Sequence, residues 1–458
     1  MKKNFIISLL FLMFAGIFAL IGAGKEYTFF ALGIIGFFGL KKFVPAKFKT
    51  LFILSAMTLL MFCNFTKNIF NRNNDEFKRF QWGLELLITE KIDARQSGVT
   101  DMTAYGLGFF NSDKKIIEPY TSQYGLQGKI FQKFNKIQNL HCVCALLTAI
   151  VLSLISFLLS KKYNRLFAFC FFIIFLFSPF IVNYSRNLYF VEFTWFVPML
   201  MGLFVSLNYN RKINPLLETF GVFVAVLIKS LCGYEYVSVI LLAMIAFPLV
   251  DFIESVFEKD WKKSAQIFRN VFLMGIFALF GFVVAILIHA NLRGNGNLLD
   301  GVKSIYEKDV LRRTFGGKVE NFDPILKNSI QASVLRVLKK YYGTHVELIV
   351  GISSQLFTLI SLLPLLIFSK NAFKKNLNKK DVILYFILYM TCISWFVLGK
   401  SHSYEHVHMN YVLWYFGFVQ ICFYVILKQI IEWLKMIARY VLENRETLKK
   451  SLLGKIYD

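Results

Sequence analysis

Apolar residues run in long blocks along this chain, and polar residues gather in the gaps between them. Blocks near residues 4–22, 27–40, 50–66, 140–160, 166–184, 188–208, 215–231, 235–254, 268–290, 346–369, 381–398 and 410–428 approach the roughly 20 residues that carry a helix across about 30 Å of hydrocarbon. Backbone groups in lipid find their hydrogen bonds within a helix, so the pattern predicts an all-α, polytopic membrane protein of about twelve spans. The gaps at 67–139 and 291–345 are long, and mix apolar, aromatic and charged residues at helical spacing, as in "FQWGLELL" and "SIQASVLRVLKKYY". Short helices at the membrane interface are expected in both.

Charge orients the spans. Short loops rich in Lys and Arg stay on the cytoplasmic side. "KKFVPAKFK", "KKYNR", "NYNRKINP", "EKDWKK" and "KNAFKKNLNKK" all fall on the side of Lys2 and Lys3. They alternate with "GAGKEY", "YSRNLY", "KSLCGYEY" and "GKSHSYEH", so both termini are expected in the cytoplasm and both long connectors outside an inner membrane. Residues 1–428 then form one transmembrane domain. Residues 429–458 form a cytoplasmic tail whose amphipathic spacing suits the lipid surface.

Composition agrees. The chain has 458 residues, 56% of them hydrophobic, 52 Phe and a net charge of +24. The basic residues sit at the ends of apolar blocks, which suits anionic lipids and excludes nucleic acid as the expected partner. The first block resembles a signal peptide behind Lys2-Lys3, but its apolar stretch is long and another block follows at once, so it reads as a first helix. Most of the seven cysteines lie within or beside apolar blocks, as packing residues do, and Cys142 and Cys144 are too close for a usual metal pair. Tyr189, Trp195 and Trp395, near block ends, read as an aromatic belt.

Costly polar residues collect on the expected outer face, in "NNDEFKRFQ", "EPYTSQYGLQGK", "YSRNLYFVE", "IKSLCGYEY" and "GKSHSYEHVHMN". The stretch "DEFKRFQWGLELL", from Asp75 to Leu87, resembles the first outer loop of the GT-C glycosyltransferases, in particular the protein O-mannosyltransferase and aminoarabinose transferase branch. There an acidic pair is followed by a basic or aromatic residue and an amphipathic helix. "EPYTSQYGLQGKIFQKF" is similar to the later part of that loop. Three blocks precede the pair here, whereas in the family one helix usually does.

The resemblance implies a transferase that uses a sugar on a polyprenyl phosphate and a glycan or lipid-linked acceptor. Such a reaction needs a base, cations for the departing phosphate and a groove for the lipid. Asp75 is the candidate base, with Glu76 beside it; an exposed pairing with Lys78 and Arg79 explains the same residues. Arg186, Lys229, Arg312, Arg313, Lys400 and His402 are candidates for phosphate, since guanidinium forks match phosphate oxygens and Lys supplies a point charge. Four also have a structural reading: snorkelling for Arg186, a pair with Glu235 for Lys229, an interfacial anchor for Lys400 and plain interfacial packing for His402. Tyr120, Gln123, Gln127, Glu235 and His406 are candidates for sugar or acceptor. His402 and His406 share a helical face at i, i+4, a spacing that also suits zinc, but no third ligand is evident, so no metal site is assigned and a divalent cation remains an open requirement. "RGNGNLLDG" lacks the strand and Gly-Lys-Ser/Thr of a nucleotide loop. An O-antigen-type polymerase, with essential Arg residues and a dispensable acidic pair, and a flippase or transporter of lipid-linked glycans are the alternatives. Transporters carry ionisable residues midway along helices, which this chain does not favour.

Overall fold

The apolar blocks fold as helices in the computed structural model, which describes residues 45, 48–70, 73–100, 102–113, 115–209, 215–314, 322 and 326–444. The expected spans at 4–22 and 27–40 lie outside the described residues. We label the helices α1 (Lys49–Lys67), α2 (Asn74–Arg79), α3 (Trp82–Gln96), α4 (Leu126–Phe131), α5 (Ile137–Lys162), α6 (Arg165–Phe177), α7 (Pro179–Ser185), α8 (Phe193–Leu207) and α9 (Pro215–Cys232). There follow α10 (Val237–Phe257), α11 (Trp261–Arg293), α12 (Leu298–Ile305), α13 (Val334–Gly343), α14 (Ser354–Phe373), α15 (Lys379–Leu398), α16 (Lys400–Glu405) and α17 (Phe418–Glu443).

Six of these, α1, α5, α10, α11, α14 and α15, are long and apolar enough to cross a membrane, and two bent pairs raise the number to eight among the described residues. The chain is thus a mostly helical, multi-pass membrane protein. Every described block contains a helix, but three boundaries differ from the hydropathy pattern. The block at 166–184 bends by 69° between α6 and α7. Ser178 makes the break: its hydroxyl accepts the Ile181 N–H at 3.1 Å and Pro179 takes the first helical position, where a missing N–H costs nothing. Residues 188–192 form a turn ahead of α8, and the block at 346–369 starts with a hairpin rather than a helix. That hairpin (Glu347–Ile349 with Ile352–Ser353) and another (Gly108–Phe110 with Ile117–Pro119) correct the all-α expectation in detail. In the second, the Asn111 side chain closes the turn by accepting the N–H groups of Lys115 and Ile116.

The core is aromatic. Trp195 packs on Tyr184 and Tyr236, Phe196 stacks on Phe416 at 4.5 Å, and α8 approaches α10 closely at Gly202, where a Cβ would lie 1.8 Å from the Met244 carbonyl. The aromatic-belt expectation fails for Tyr189, Trp195 and Trp395, which are 4%, 1% and 6% exposed. Their rings face neighbouring helices instead of lipid.

The helix ends sort into two layers. At one end the short basic connectors meet: Lys162 pairs with Asp251 and reaches the Ser206 carbonyl, Lys380 pairs with Glu254, Lys428 pairs with Asp381, and Asn164 donates to the Tyr424 hydroxyl. The two long connectors meet at the other end. Helix α17 runs unbroken through residue 429, its second half exposed; residues 445–458 lie outside the described residues. The Lys162–Asp251 pair is nearly enclosed, at 11% and 9% side-chain exposure, so Asp251→Ala should cost about 3–5 kcal/mol by stranding the ammonium. Removing Glu432 from its exposed pair with Lys435 should cost about 0–1 kcal/mol. Unfolding of both variants in detergent checks the ordering.

Candidate functional site

The acidic pair opens the short helix α2. Asn73 caps it, accepting the Glu76 N–H at 3.0 Å while its amide donates to Glu76 Oε2 at 3.0 Å. Asn183 of α7 donates to the other Glu76 oxygen at 3.4 Å. Glu76 is therefore held on both sides. Partial burial pushes its carboxyl above the ordinary range, and Glu347 of the hairpin ahead of α14 adds to the effect. Asp75, one residue earlier, is exposed and pairs with neither Lys78 nor Arg79.

Arg186 holds this helix from below. Its guanidinium donates to the Phe77 carbonyl at 2.8 Å and the Lys78 carbonyl at 3.3 Å, and stacks 4.2 Å from the Phe77 ring. Positive charge there suits the carbonyl end of a helix. Nearby, Asn187 donates to the Phe80 carbonyl and Glu85 accepts both the Leu188 N–H and His141 Nε2 at 2.9 Å. Arg186 is thus placed beside the acidic pair as the clamp of α2.

A second polar group gathers around Glu235. Gln123 donates to the Glu235 carboxylate and, at 2.6 Å, to the Tyr189 hydroxyl; Gln127 donates to the Tyr189 carbonyl at 2.7 Å. Tyr120 packs edge-on to Tyr189 with ring centroids 6.5 Å apart. Lys229, buried at the end of α9, donates a hydrogen bond to the Gly233 carbonyl at 2.5 Å and lies in the field of Glu235. The carbonyl oxygens of the Gln123 and Gln127 side chains are buried with no partner.

The second long connector closes over this group. Arg293, at the end of α11, forms a buried pair with Asp309 and donates to Ser304 Oγ at 2.9 Å and the Thr121 carbonyl at 3.2 Å. His289 Nε2 reaches the same carbonyl at 3.0 Å, which leaves its Nδ1 to accept from the Tyr234 hydroxyl. Arg313 approaches Asp309 at 3.7 Å. Burial opposes the Arg313 charge, but Glu235 and Asp309 outweigh it and hold the guanidinium protonated. Residues Leu311–Arg313 pack against α16, bringing Arg312 and Arg313 near His402 and His406.

Helix α16 supplies the remaining candidates. Lys400 donates to the Ile330 and Ala332 carbonyls at 3.0 and 2.9 Å, tying the second connector to the bundle. The rings of His402 and His406 lie tilted against each other with centroids 4.5 Å apart, the backbone His406 N–H closing on the His402 carbonyl at 3.0 Å as the i, i+4 spacing predicts. Among the described residues no group of three or more His, Cys, Asp or Glu is placed to hold a metal ion. The cysteines are free thiols, five of them buried.

Burial keeps both imidazoles neutral, His402 well below its usual range and His406 at about 4 against an ordinary 6.5, with neighbouring His and Arg charges adding to the effect. An unfolded chain takes up these protons as the pH falls from 6.5, and the folded chain does not. Stability linked to His406 is therefore intact above pH 6.5 and is lost as the pH falls toward about 4. Unfolding midpoints should drop across that window, and His406→Gln should flatten the drop.

The candidates thus fall into two groups, joined by the segment from Asn183 to Glu192. Asp75, Glu76 and Arg186 form one; Tyr120, Gln123, Gln127, Lys229, Glu235, Arg312, Arg313, His402 and His406 form the other, with Lys400 as its tether. Several members carry no signal in isolation. Arg293 and Asp309 reveal themselves only as a pair, and Tyr189 looks like any aromatic at a span end. Glu192 is fully enclosed with neither carboxylate oxygen partnered, next to Val191 at a φ of 41°, where a β-branched residue is strained. A carboxyl at a predicted span end was the one sequence clue to it. No protein-family model, curated protein or solved structure gives a significant match to the chain.

Proposed function

We propose that this protein is a membrane glycosyltransferase that moves a sugar from a polyprenyl-phosphate donor to a glycan or lipid-linked acceptor, on the outer face of an inner membrane. The observation that carries the reading is a set of buried donors without acceptors. Among the described residues Arg312 Nε and Arg313 Nε, donors of charged groups, have no hydrogen-bond partner, and neither has His402 Nδ1, which donates or accepts according to its tautomer. Leaving a buried polar atom unpaired costs about 1–3 kcal/mol, more for a charged group. Such a set suits an anionic group that enters and leaves.

The chemistry follows from the grouping. Arg312 and Arg313 bind the phosphate, and the free Gln123 and Gln127 carbonyls accept from sugar hydroxyls beside Tyr120. The acceptor oxygen attacks the anomeric carbon as the bond to the phosphate oxygen breaks. The electron pair goes to the phosphate, where the guanidinium charges stabilise it, and the acceptor proton goes to Asp75.

A second reading, a polysaccharide polymerase, is favoured by one feature: Arg313 lies in the field of Glu235, whereas the acidic pair sits on α2, where Glu76 contacts Asn73 and Asn183. Purified protein in liposomes, given polyprenyl-phosphate sugar and acceptor, decides between them. Transfer that needs Arg312 and Asp75 supports the transferase; transfer that needs Arg312 and survives Asp75→Asn supports the polymerase; absence of any transfer or polymerisation overturns both.

A further inference from the structure

Resting on the polyprenyl-phosphate reading, we infer that the outer face of the helical rod 298–313 is the track on which the isoprenoid chain of the donor lies. The rod is α12, a π-helical turn at Tyr306–Val310 and the turn Leu311–Arg313, in continuous succession. Its two faces are distinct. Gly301, Ile305, Asp309 and Arg313, four residues apart, face inward. Gly301 seats the rod on α11, since a Cβ there would lie 1.8 Å from the Ala290 carbonyl, and the Arg293 bonds to Ser304 and Asp309 fix it.

On the other side an apolar stripe, flanked by the exposed Asp300, Lys303, Glu307 and Lys308, is left uncovered by the described residues. Leu299, Val302, Tyr306 and Val310 follow one another at helical spacing, with Leu299 80% and Tyr306 54% exposed. At helical rise this stripe is about 16 Å long. Below it, Leu287 and Ile288 of α11 are also exposed, so the apolar surface continues from a membrane-crossing helix onto the rod. At its far end stand Arg312 and Arg313, each with a buried, unpaired Nε.

An apolar track ending in two unpaired guanidinium donors matches one occupant in particular: a single long isoprenoid chain with a phosphate at its head. The π-helical turn places that end correctly, because the extra residue per turn brings Asp309 and Arg313 inward while Tyr306 and Val310 stay outside. Bulk phospholipid would cover the stripe as well and also carries a phosphate, so competition by phosphatidylglycerol distinguishes the two occupants.

The test is binding of undecaprenyl phosphate and of geranyl phosphate to the purified full-length protein in detergent. Leu299→Asn combined with Val302→Asn, at exposed positions, should weaken undecaprenyl phosphate about tenfold and leave geranyl phosphate unchanged. Arg312→Ala should weaken both. Equal loss for both ligands in the stripe variant, no loss for either, or full competition by phosphatidylglycerol overturns the track while leaving the glycosyltransferase reading standing. Failure of the unaltered protein to bind either phosphate overturns that reading and the track together.

Discussion

Asp75→Asn is expected to lower kcat by about 10²–10⁴-fold, with affinity for polyprenyl phosphate unchanged, because in the proposed mechanism it removes the general base and leaves the phosphate contacts in place. The side chain is exposed in the first turn of α2 and makes no ion pair with any described residue, so amide for carboxylate leaves the fold intact. Glu76→Gln should behave differently. Both Glu76 oxygens already accept from Asn73 and Asn183, and an amide keeps one of those contacts at best. Its expected signature is a loosened α2: a loss in kcat of less than about 10²-fold, the lower end of what a positioned acid or base supplies, with a drop in thermal stability. Steady-state kinetics of the two variants separates these roles. A greater kinetic loss in Glu76→Gln reverses the assignment, and full activity in Asp75→Asn removes the base from the proposal.

How much of this was legible depended on sequence distance. The periodicity of 50–66, 140–160 and 381–398 foretold α1, α5 and α15 to within a few residues, because a long apolar block in a helix-only solvent has one solution. The break at Ser178-Pro179 carried a readable signal, a capping residue followed by Pro, that hydropathy alone passes over. Lys162, Lys380 and Lys428 were readable as basic span ends, but their partners Asp251, Glu254 and Asp381 sit on other helices, and only packing pairs them. The burial of Tyr189 and Trp195 was hidden for the same reason. An aromatic at a helix end faces lipid or protein according to how neighbouring helices pack.

Candidate residues show the same limit. Gln123 and Glu235 were singled out separately, 112 positions apart, and the fold joins them in one hydrogen bond. The acidic pair and Arg312-Arg313, by contrast, were grouped in one site, and the fold assigns them to neighbouring groups linked by residues 183–192, with Arg186 beside the acidic pair. Charge placed them on a common face; only the turns of α7 and the second connector decide which charges meet.

Asp309→Ala is expected to destabilise the protein by about 3–5 kcal/mol, the range for stranding one member of a buried ion pair. Arg293 and Asp309 are each 7% exposed in their side chains, and Arg313 at 3.7 Å shares the same carboxylate, so one substitution leaves two guanidinium groups facing each other. The consequence reaches beyond stability, because Arg293 also binds Ser304 and Thr121 and so joins α11 to both long connectors. Replacing both partners by apolar residues, Arg293→Met with Asp309→Leu, should recover part of the loss, since the Arg293 charge is then gone and only Arg313 lacks the Asp309 carboxylate. Recovery should stay incomplete: Thr121 keeps its bond from His289, but Ser304 loses its donor. A double-mutant cycle from denaturant unfolding in micelles measures the coupling between the two residues directly. A single-variant cost no larger than that of an exposed pair, about 0–1 kcal/mol, shows that the second connector is held by its apolar seat on Ala290 and not by this charge.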